Sequence, residues 1–260
     1  MHLLPDRITA LPRRSIAGLL ALLLVLPTAL SASIPAEAQG CAAALGGELS
    51  GTEEQLDTSL DFLSWNIQKA SNEGWREDLR NFASDVHLAF IQEAAVQASI
   101  TGALPVRMHQ AFAAGYSTAK RETGVLTLSS GAPSLRCHLT AREPWLGTPK
   151  ATSITEHPIR GRQERLLAVN MHAVNFALGL QEFREQVHAL EVVMDNHRGP
   201  VIFAGDLNTW SAGRQALVDA FMHKHGLQPV AFAPDLRTTF FGNALDHVYV
   251  RGIRAGSARV

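Results

Sequence analysis

The chain has 260 residues, 46% of them hydrophobic and 18% charged, which is the composition of an ordinary folded protein and excludes a largely disordered or fibrous one. Its formal net charge of −1 excludes a general basic field that would draw it onto nucleic acid, so any polyanionic substrate has to be held by local charges. The length permits one large core or two small ones, and pattern has to decide between them.

In chain order, the first feature is a targeting segment. Arg13 and Arg14 precede an apolar run from Ile16 to Leu30, and "AEA" then offers a small-x-small cleavage site ending at Ala38. Residues 1–38 are therefore expected to be a signal peptide, with export to the periplasm or the extracellular space. The Arg pair followed by Ser-Ile leaves a twin-arginine and an ordinary secretory signal both open. The run is also close to bilayer-spanning length, so an uncleaved inner-membrane anchor is the alternative. Removing residues 1–38 takes away three arginines and two carboxylates, moving the net charge from −1 to −2. Cys41 and Cys137 are left as one disulfide, two free thiols or, for Cys41, a lipid-bearing residue.

Residues 39–54 read as a linker and residues 55–260 as one domain. "DFLSWNI" and "VHLAFIQE" are predicted strands, with "WREDLRNFAS" a helix between them. "GVLTLSS" and "LRCHLTA" flank "GAPS" and predict a hairpin. "RLLAVNMH" is a further buried strand. A helix follows, with Leu180, Phe183, Val187, Leu190 and Met194 on one face, ending at Gly199 and Pro200. "VIFAGD" opens the next strand, and a helix capped by Ser211 and closed by Gly226 comes after it. "TTFFG" and "ALDHVYVRG" complete the strands. Alternation of short β-rich runs with helical patterns predicts a layered α/β domain.

The candidate chemistry sits at strand ends. Asp206 and Asn208 are two apart and are expected to leave one strand face side by side. Asp206 can bind a hard cation or orient a water, and Asn208 can donate to a developing oxyanion. The competing reading is that "GDLN" is only a turn. Asn66 ends "LSWN", Glu93 ends "LAFIQE", and "VNMHAVN" supplies Asn170, His172 and Asn175. A carboxylate and a carboxamide at neighbouring strand ends supply oxygen ligands for Mg²⁺ or Mn²⁺, and a histidine opposite can bond or protonate a phosphate oxygen. Lys150 in "GTPKAT" is either a phosphate contact or a solvated charge. The "YSTAKRETG" loop with Tyr116, Lys120 and Arg121 is either a basic rim or merely a loop. His247 alternates away from Asp246 and is read as structural, and Trp65 and Trp210 as packing.

The ordered motifs "SWNIQ", "FIQE", "GVLTLS", "VNMHAVNF", "FAGDLNTW" and "LDHVYV" resemble the endonuclease/exonuclease/phosphatase superfamily, also called deoxyribonuclease I-like. They are most similar to its uncharacterised bacterial branch of exported or membrane-associated members. The resemblance covers Asp61 to the C-terminus. It implies a four-layered α/β sandwich of two packed mixed β-sheets flanked by helices, and a Mg²⁺- or Mn²⁺-dependent hydrolase of phosphate esters, a phosphodiesterase or nuclease first. Asn66 and Glu93 would hold the metal, and His172 would polarise the phosphate. Asp206 would orient the water, Asn208 would stabilise the transition state, and Asp246 would support the metal region. Lys150, Asn175 and Tyr116 are the candidate substrate contacts. Nucleic acid is the first partner expected and phospholipid the second, with the protein acting as a monomer.

The sequence departs from that pattern at one place. The superfamily's final strand carries Ser-Asp-His, and no such motif follows Asp246 here. The expectation is a sandwich short of its last strand, with an open sheet edge, reduced activity and reduced solubility. Truncation and natural absence both stay open. The alternatives to a nuclease are therefore a phospholipid or inositol-phosphate phosphoesterase and a catalytically impaired binding module. A basic groove across the strand ends would mark the nuclease, and an exposed apolar rim or loop the lipid hydrolase.

Overall fold

Strand sequences that are apolar at every position have to be covered on both faces, and that requirement generates four layers. The computed structural model describes residues 34–49, 54–144, 146–177 and 179–260, within one compact unit, Ser33–Val260. Most of the expected signal segment, residues 1–33, lies outside the described residues.

The first sheet has the order β1-β2-β4-β3, with β1 Phe62–Asn66, β2 Leu88–Ala95, β3 His109–Ser117 and β4 Glu122–Ser129. The second has the order β5-β6-β7-β8-β12-β9. Its strands are β5 Leu135–Arg142, β6 Pro149–Pro158, β7 Arg165–His172, β8 Val201–Asp206, β9 Gln228–Pro229 and β12 Asp246–Arg251. A separate ribbon pairs β10 Thr239–Phe240 with β11 Asn243–Ala244. The helices are α1 Ala36–Ala44, α2 Trp75–Phe82, α3 Gln181–Asn196 and α4 Ala212–Lys224.

Alternation along the strands sorts the core. Leu88 and Phe90 of β2 meet Leu166, Ala168, Ile202, Ala204 and Val248 between the sheets. Their neighbours Ala89 and Ile91 turn the other way onto Trp75 and Leu79 of α2. Leu167, Val169 and Phe203 turn outward onto Phe183, Leu190 and Met194 of α3 and onto Val218 and Phe221 of α4. The predicted α3 stripe is thus the buried one, from Phe183 to Met194. The Ser211 side chain accepts from the Arg214 amide at the α4 N-terminus, as predicted.

Three expectations are corrected. "GVLTLSS" and "LRCHLTA" form no hairpin: β4 belongs to the first sheet and β5 to the second. Gly131 is the reason, because a Cβ there would stand 2.8 Å from the Leu56 amide and 2.9 Å from the Glu54 carbonyl. Only glycine lets the chain slip past that segment and change sheets. "TTFFG" adds no strand to either main sheet and instead forms the β10–β11 ribbon. Finally, the stretch read as a linker is partly structured. Helix α1 packs on α3 and β5, Ala38 is fully buried, and Cys41 is disulfide-bonded to Cys137. The disulfide replaces the thiol and lipid alternatives.

Candidate active site

Strand direction brings the motif residues to one edge. β1 and β2 are parallel, and so are β7 and β8, which puts His172 opposite Asp206. β12 runs antiparallel to β8 and begins with Asp246 opposite the same Asp206. Gly205, at φ 145°, precedes Asp206 and lies against the Met171 backbone, where any Cβ would collide with the Met171 carbonyl. The glycine lets β7 and β8 close together and carry His172 and Asp206 side by side.

Asp206 is the hub. Its Oδ2 accepts from Asn66 Nδ2 at 2.9 Å, joining the two sheets, and its Oδ1 accepts from the Asn208 amide at 3.1 Å. Burial pushes the Asp206 carboxyl above the usual carboxylate range, against the Asn66 and Asn208 hydrogen bonds that pull it down. Asp246 is pushed up to about 7, first by burial and then by the charge of Asp206.

Asn208 does not leave β8 as a strand neighbour of Asp206. The strand ends at Asp206, Asn208 is left-handed at φ 49°, and its side-chain Nδ2 donates to the Ala173 carbonyl at 3.1 Å. "GDLN" is therefore both a turn and part of the site: an Asx-type bond from the Asn208 backbone amide to the Asp206 side chain ties the two residues where strand alternation was expected to place them. Glu93 is also left-handed, at φ 50°, in a β-bulge between Ile91 and Ala94. Such backbone costs on the order of 1–3 kcal/mol per residue and clusters at functional sites.

His172 and Lys150 form one unit. Lys150 Nζ lies 3.1 Å from His172 Nε2. An ammonium has only donors, so Nε2 is the acceptor and the ring proton sits on Nδ1. Burial, with Lys150 and Lys69 adding to it, holds the imidazole well below its ordinary range. The 3.6 Å approach of Nε2 to Asp206 Oδ2 is thus not an ion pair. Lys150 is not a solvated surface charge either: its side chain is 15% exposed, 3.7 Å from the buried Glu143.

A cleft of about 90 Å³ opens between these groups, walled by Lys69, Glu93, Tyr116, Lys150 and His172 among others. Tyr116 is brought to the site. The Asn175 amide oxygen is instead taken by Trp210 Nε1 at 3.1 Å, so Asn175 shapes the loop after β7. Asn170 lies behind the site, bonded to Gln92 at 2.8 Å between the sheets. His247 faces away as expected, 2.6 Å from Thr209 Oγ1.

Three participants carried no sequence signal. Lys69 Nζ meets Glu93 Oε2 at 2.6 Å. Glu143 accepts from the Asn175 amide at 2.9 Å. Arg214 is fully buried and donates to the Val174, Asn175 and Asn208 carbonyls. All three are contacts between distant segments, which local pattern does not encode.

The oxygens of Glu93 and Asn66 are hard donors. Among the described residues no three His, Cys, Asp or Glu side chains converge as a metal cage. Such a sparse oxygen set suits a cation that keeps most of its waters, as Mg²⁺ does, and Lys69 on Glu93 shows that the carboxylate already attracts a cation.

The architecture is the deoxyribonuclease I-like α/β sandwich. A model of the Endonuclease/Exonuclease/phosphatase family matches residues 63–260. A UPF0294 protein of Vibrio cholerae is 38% identical over 209 residues, 78% of this chain and 73% of that protein. Among solved structures, an endonuclease/exonuclease/phosphatase family protein from Bacteroides thetaiotaomicron aligns with TM-score 0.55 at 18% identity, covering 75% of this chain and 84% of its own. A mannosyl-6-phosphatase of the same organism aligns with TM-score 0.53 at 16% identity, covering 75% and 86%. The chain belongs to the Endonuclease/Exonuclease/phosphatase family, a superfamily of metal-dependent phosphoesterases that includes nucleases and phosphatases.

Proposed function

We propose that the chain hydrolyses phosphodiesters with a divalent cation, through a water held by Asp206. The observation that carries this reading is the Asp206 carboxylate, buried and oriented by Asn66 and Asn208, beside the neutral His172 and the Lys150 ammonium. Asp206, raised by burial, is suited to accept a proton from an attacking water. Lys150 supplies positive charge to the developing phosphorane, and His172 orients Lys150 through Nε2. Asn208 has a second amide hydrogen to offer beyond the one on Ala173. Glu93 and Asn66 would hold Mg²⁺, which when bound polarises the phosphate and offsets its charge.

For the substrate, Lys120 and Arg121 on the exposed β3–β4 turn support a polyanion, and nucleic acid is the first class. A second reading has its own observation. Phe176, Phe240 and Phe241 are 60%, 52% and 81% exposed. They stand on the loop after β7 and on the β10–β11 ribbon, which Trp210 links: it donates to Asn175 and accepts, at its carbonyl, from Asn243. This apolar rim favours a phosphodiester at a lipid surface.

The test is Mg²⁺- or Mn²⁺-dependent hydrolysis of bis-p-nitrophenyl phosphate, plasmid DNA and phospholipid vesicles, with Asp206→Ala as control. Cleavage abolished by EDTA and by Asp206→Ala supports the reading, and the preferred macromolecular substrate decides between its two forms. No turnover on any of the three, with metal bound, would favour a binding module.

A further inference from the structure

Lys69 sits where the backbone goes furthest out of its way. Gln68, Lys69 and Ala70 are three consecutive non-glycine residues in the left-handed region, at φ 50°, 61° and 56°. The turn is pinned at both ends. The Ile67 amide donates to the Gln92 carbonyl and the Gln68 amide to Asn66 Oδ1 at 3.0 Å, while the Ser71 hydroxyl donates back to the Gln68 carbonyl at 2.7 Å. Opposite it, Glu93 is itself left-handed in its bulge. Two strained segments, the turn after β1 and the bulge in β2, thus meet in one contact, Lys69 Nζ to Glu93 Oε2 at 2.6 Å. Strain of this kind persists only where the surroundings over-determine it, and here it delivers a cation to the one carboxylate best placed for a metal.

From this geometry we infer that Lys69 is an exchangeable internal cation. Its ammonium neutralises Glu93 when no metal is present, is displaced when a divalent ion takes that carboxylate, and is then free to hold the anionic phosphate. The inference rests on the metal reading above. Lys69 is suited to the exchange because its side chain is 45% exposed against 21% for Glu93, so the long flexible stem can leave while the carboxylate stays. It has a place to go, because Lys69 and Lys150 both wall the same cleft. One protein cation is therefore fixed, Lys150 against His172, and the other is mobile. The consequence is an order of binding: the metal releases the second phosphate-binding charge, so the anion is held better once the metal is in place.

The experiment uses the whole chain, with Lys69→Met, Lys69→Ala and Glu93→Gln. Mn²⁺ alone is titrated by electron paramagnetic resonance, and inorganic phosphate by calorimetry with and without saturating Mg²⁺. Removing a competing ion pair is expected to tighten Mn²⁺ binding about fivefold in both Lys69 variants, the size of a partly exposed ion pair. The same variants should weaken phosphate binding with Mg²⁺ present. Unchanged or weaker Mn²⁺ binding in folded Lys69 variants overturns the exchange while leaving the metal reading intact. Phosphate binding that is unaffected by Lys69 with Mg²⁺ present overturns the release step. No Mn²⁺ binding by the unaltered chain, or binding undiminished in Glu93→Gln, overturns the metal reading and this inference together. Circular dichroism on both Lys69 variants secures the comparison, and with the side chain nearly half exposed at least one is expected to fold.

Discussion

Asp206 and Asp246 stand directly opposite each other in the antiparallel β8–β12 ladder, two acidic side chains on neighbouring strands at the rim of the site. Burial and the Asp206 charge push Asp246 up to about 7, so near neutrality the pair shares less than its full charge. The folded state then holds a proton on Asp246 more tightly than the unfolded chain does, where the ordinary value is 3.8. The stabilisation is fully present below that unfolded value and is lost as pH rises through about 7. In metal-free protein, the urea midpoint of the wild type relative to Asp246→Asn should fall between pH 4 and pH 8, by on the order of a few kcal/mol in stability. A flat difference across that range would mean that neither burial nor the Asp206 charge raises Asp246.

The Lys150–His172 unit makes a different prediction for rate. Because the imidazole is held neutral well below its ordinary range by burial and by Lys150 and Lys69, the pH–rate profile should show no limb near 6.5 from His172. Lys150→Met should lower kcat by about 10²–10³, the usual cost of losing one charge-stabilising donor. His172→Asn should be milder, since it disturbs the aim of Lys150 and leaves its charge. The double substitution should cost little more than Lys150→Met alone. Additive losses would mean that His172 touches the phosphate independently, as the sequence comparison first implied.

Much of this site was legible in the sequence because it lies where buried strands end. Asn66, Glu93, His172 and Asp206 each follow an apolar run, Asp246 opens one, and the strand directions bring these residues together. Helix α3 was legible because its stripe repeats at helical spacing. Strand β6 was not: its buried residues include Thr152, Ser153, Thr155, Glu156 and His157, several of them held by interior hydrogen bonds and ion pairs, so no apolar run marks it. Glu156, for example, is bonded by Gly46, Ser134 and Arg165. Strand β3 is half-exposed and rich in small residues, which blurs its alternation. The change of sheet at Gly131 and the meeting of Lys69 with Glu93 depend on segments far apart in sequence, which is information that only packing supplies.

The Cys41–Cys137 disulfide closes a separation of 96 residues and ties α1 onto the second sheet. A loop of that size constrains the unfolded chain by up to about 4–5 kcal/mol in the chain-entropy model. Replacing both cysteines by serine should lower Tm by roughly 5–15 °C for a unit of this size. The same docking bears on the proposed signal cleavage after Ala38, a residue that is fully buried in α1. Folded, oxidised protein should resist signal peptidase at that bond, and reduction should admit it. Equal cleavage of both forms would show that α1 undocks without breaking the disulfide.

The aromatic rim separates the two substrate readings. Phe241 is left-handed at φ 50° beside Gly242 at φ 79°, a tight turn that holds its ring 81% exposed, with the Phe240 ring 4.4 Å away. Neither ring belongs to the buried core clusters, so Phe240→Ser/Phe241→Ser should leave Tm within about 2 °C, as surface substitutions usually do. For soluble bis-p-nitrophenyl phosphate, kcat/KM should be unchanged, because the rings do not wall the cleft. If a lipid surface is the site of action, removing two exposed aromatic rings should lower turnover on vesicles at least about tenfold, through weaker attachment, while kcat on bound substrate stays the same. If nucleic acid is the substrate, the same variant should cleave plasmid DNA nearly as well as the unaltered chain, and Lys120→Ala/Arg121→Ala should instead lose activity with a shallower salt dependence. Measuring both variants on both substrates assigns the rim, because the lipid reading requires the aromatic variant to fail on vesicles alone.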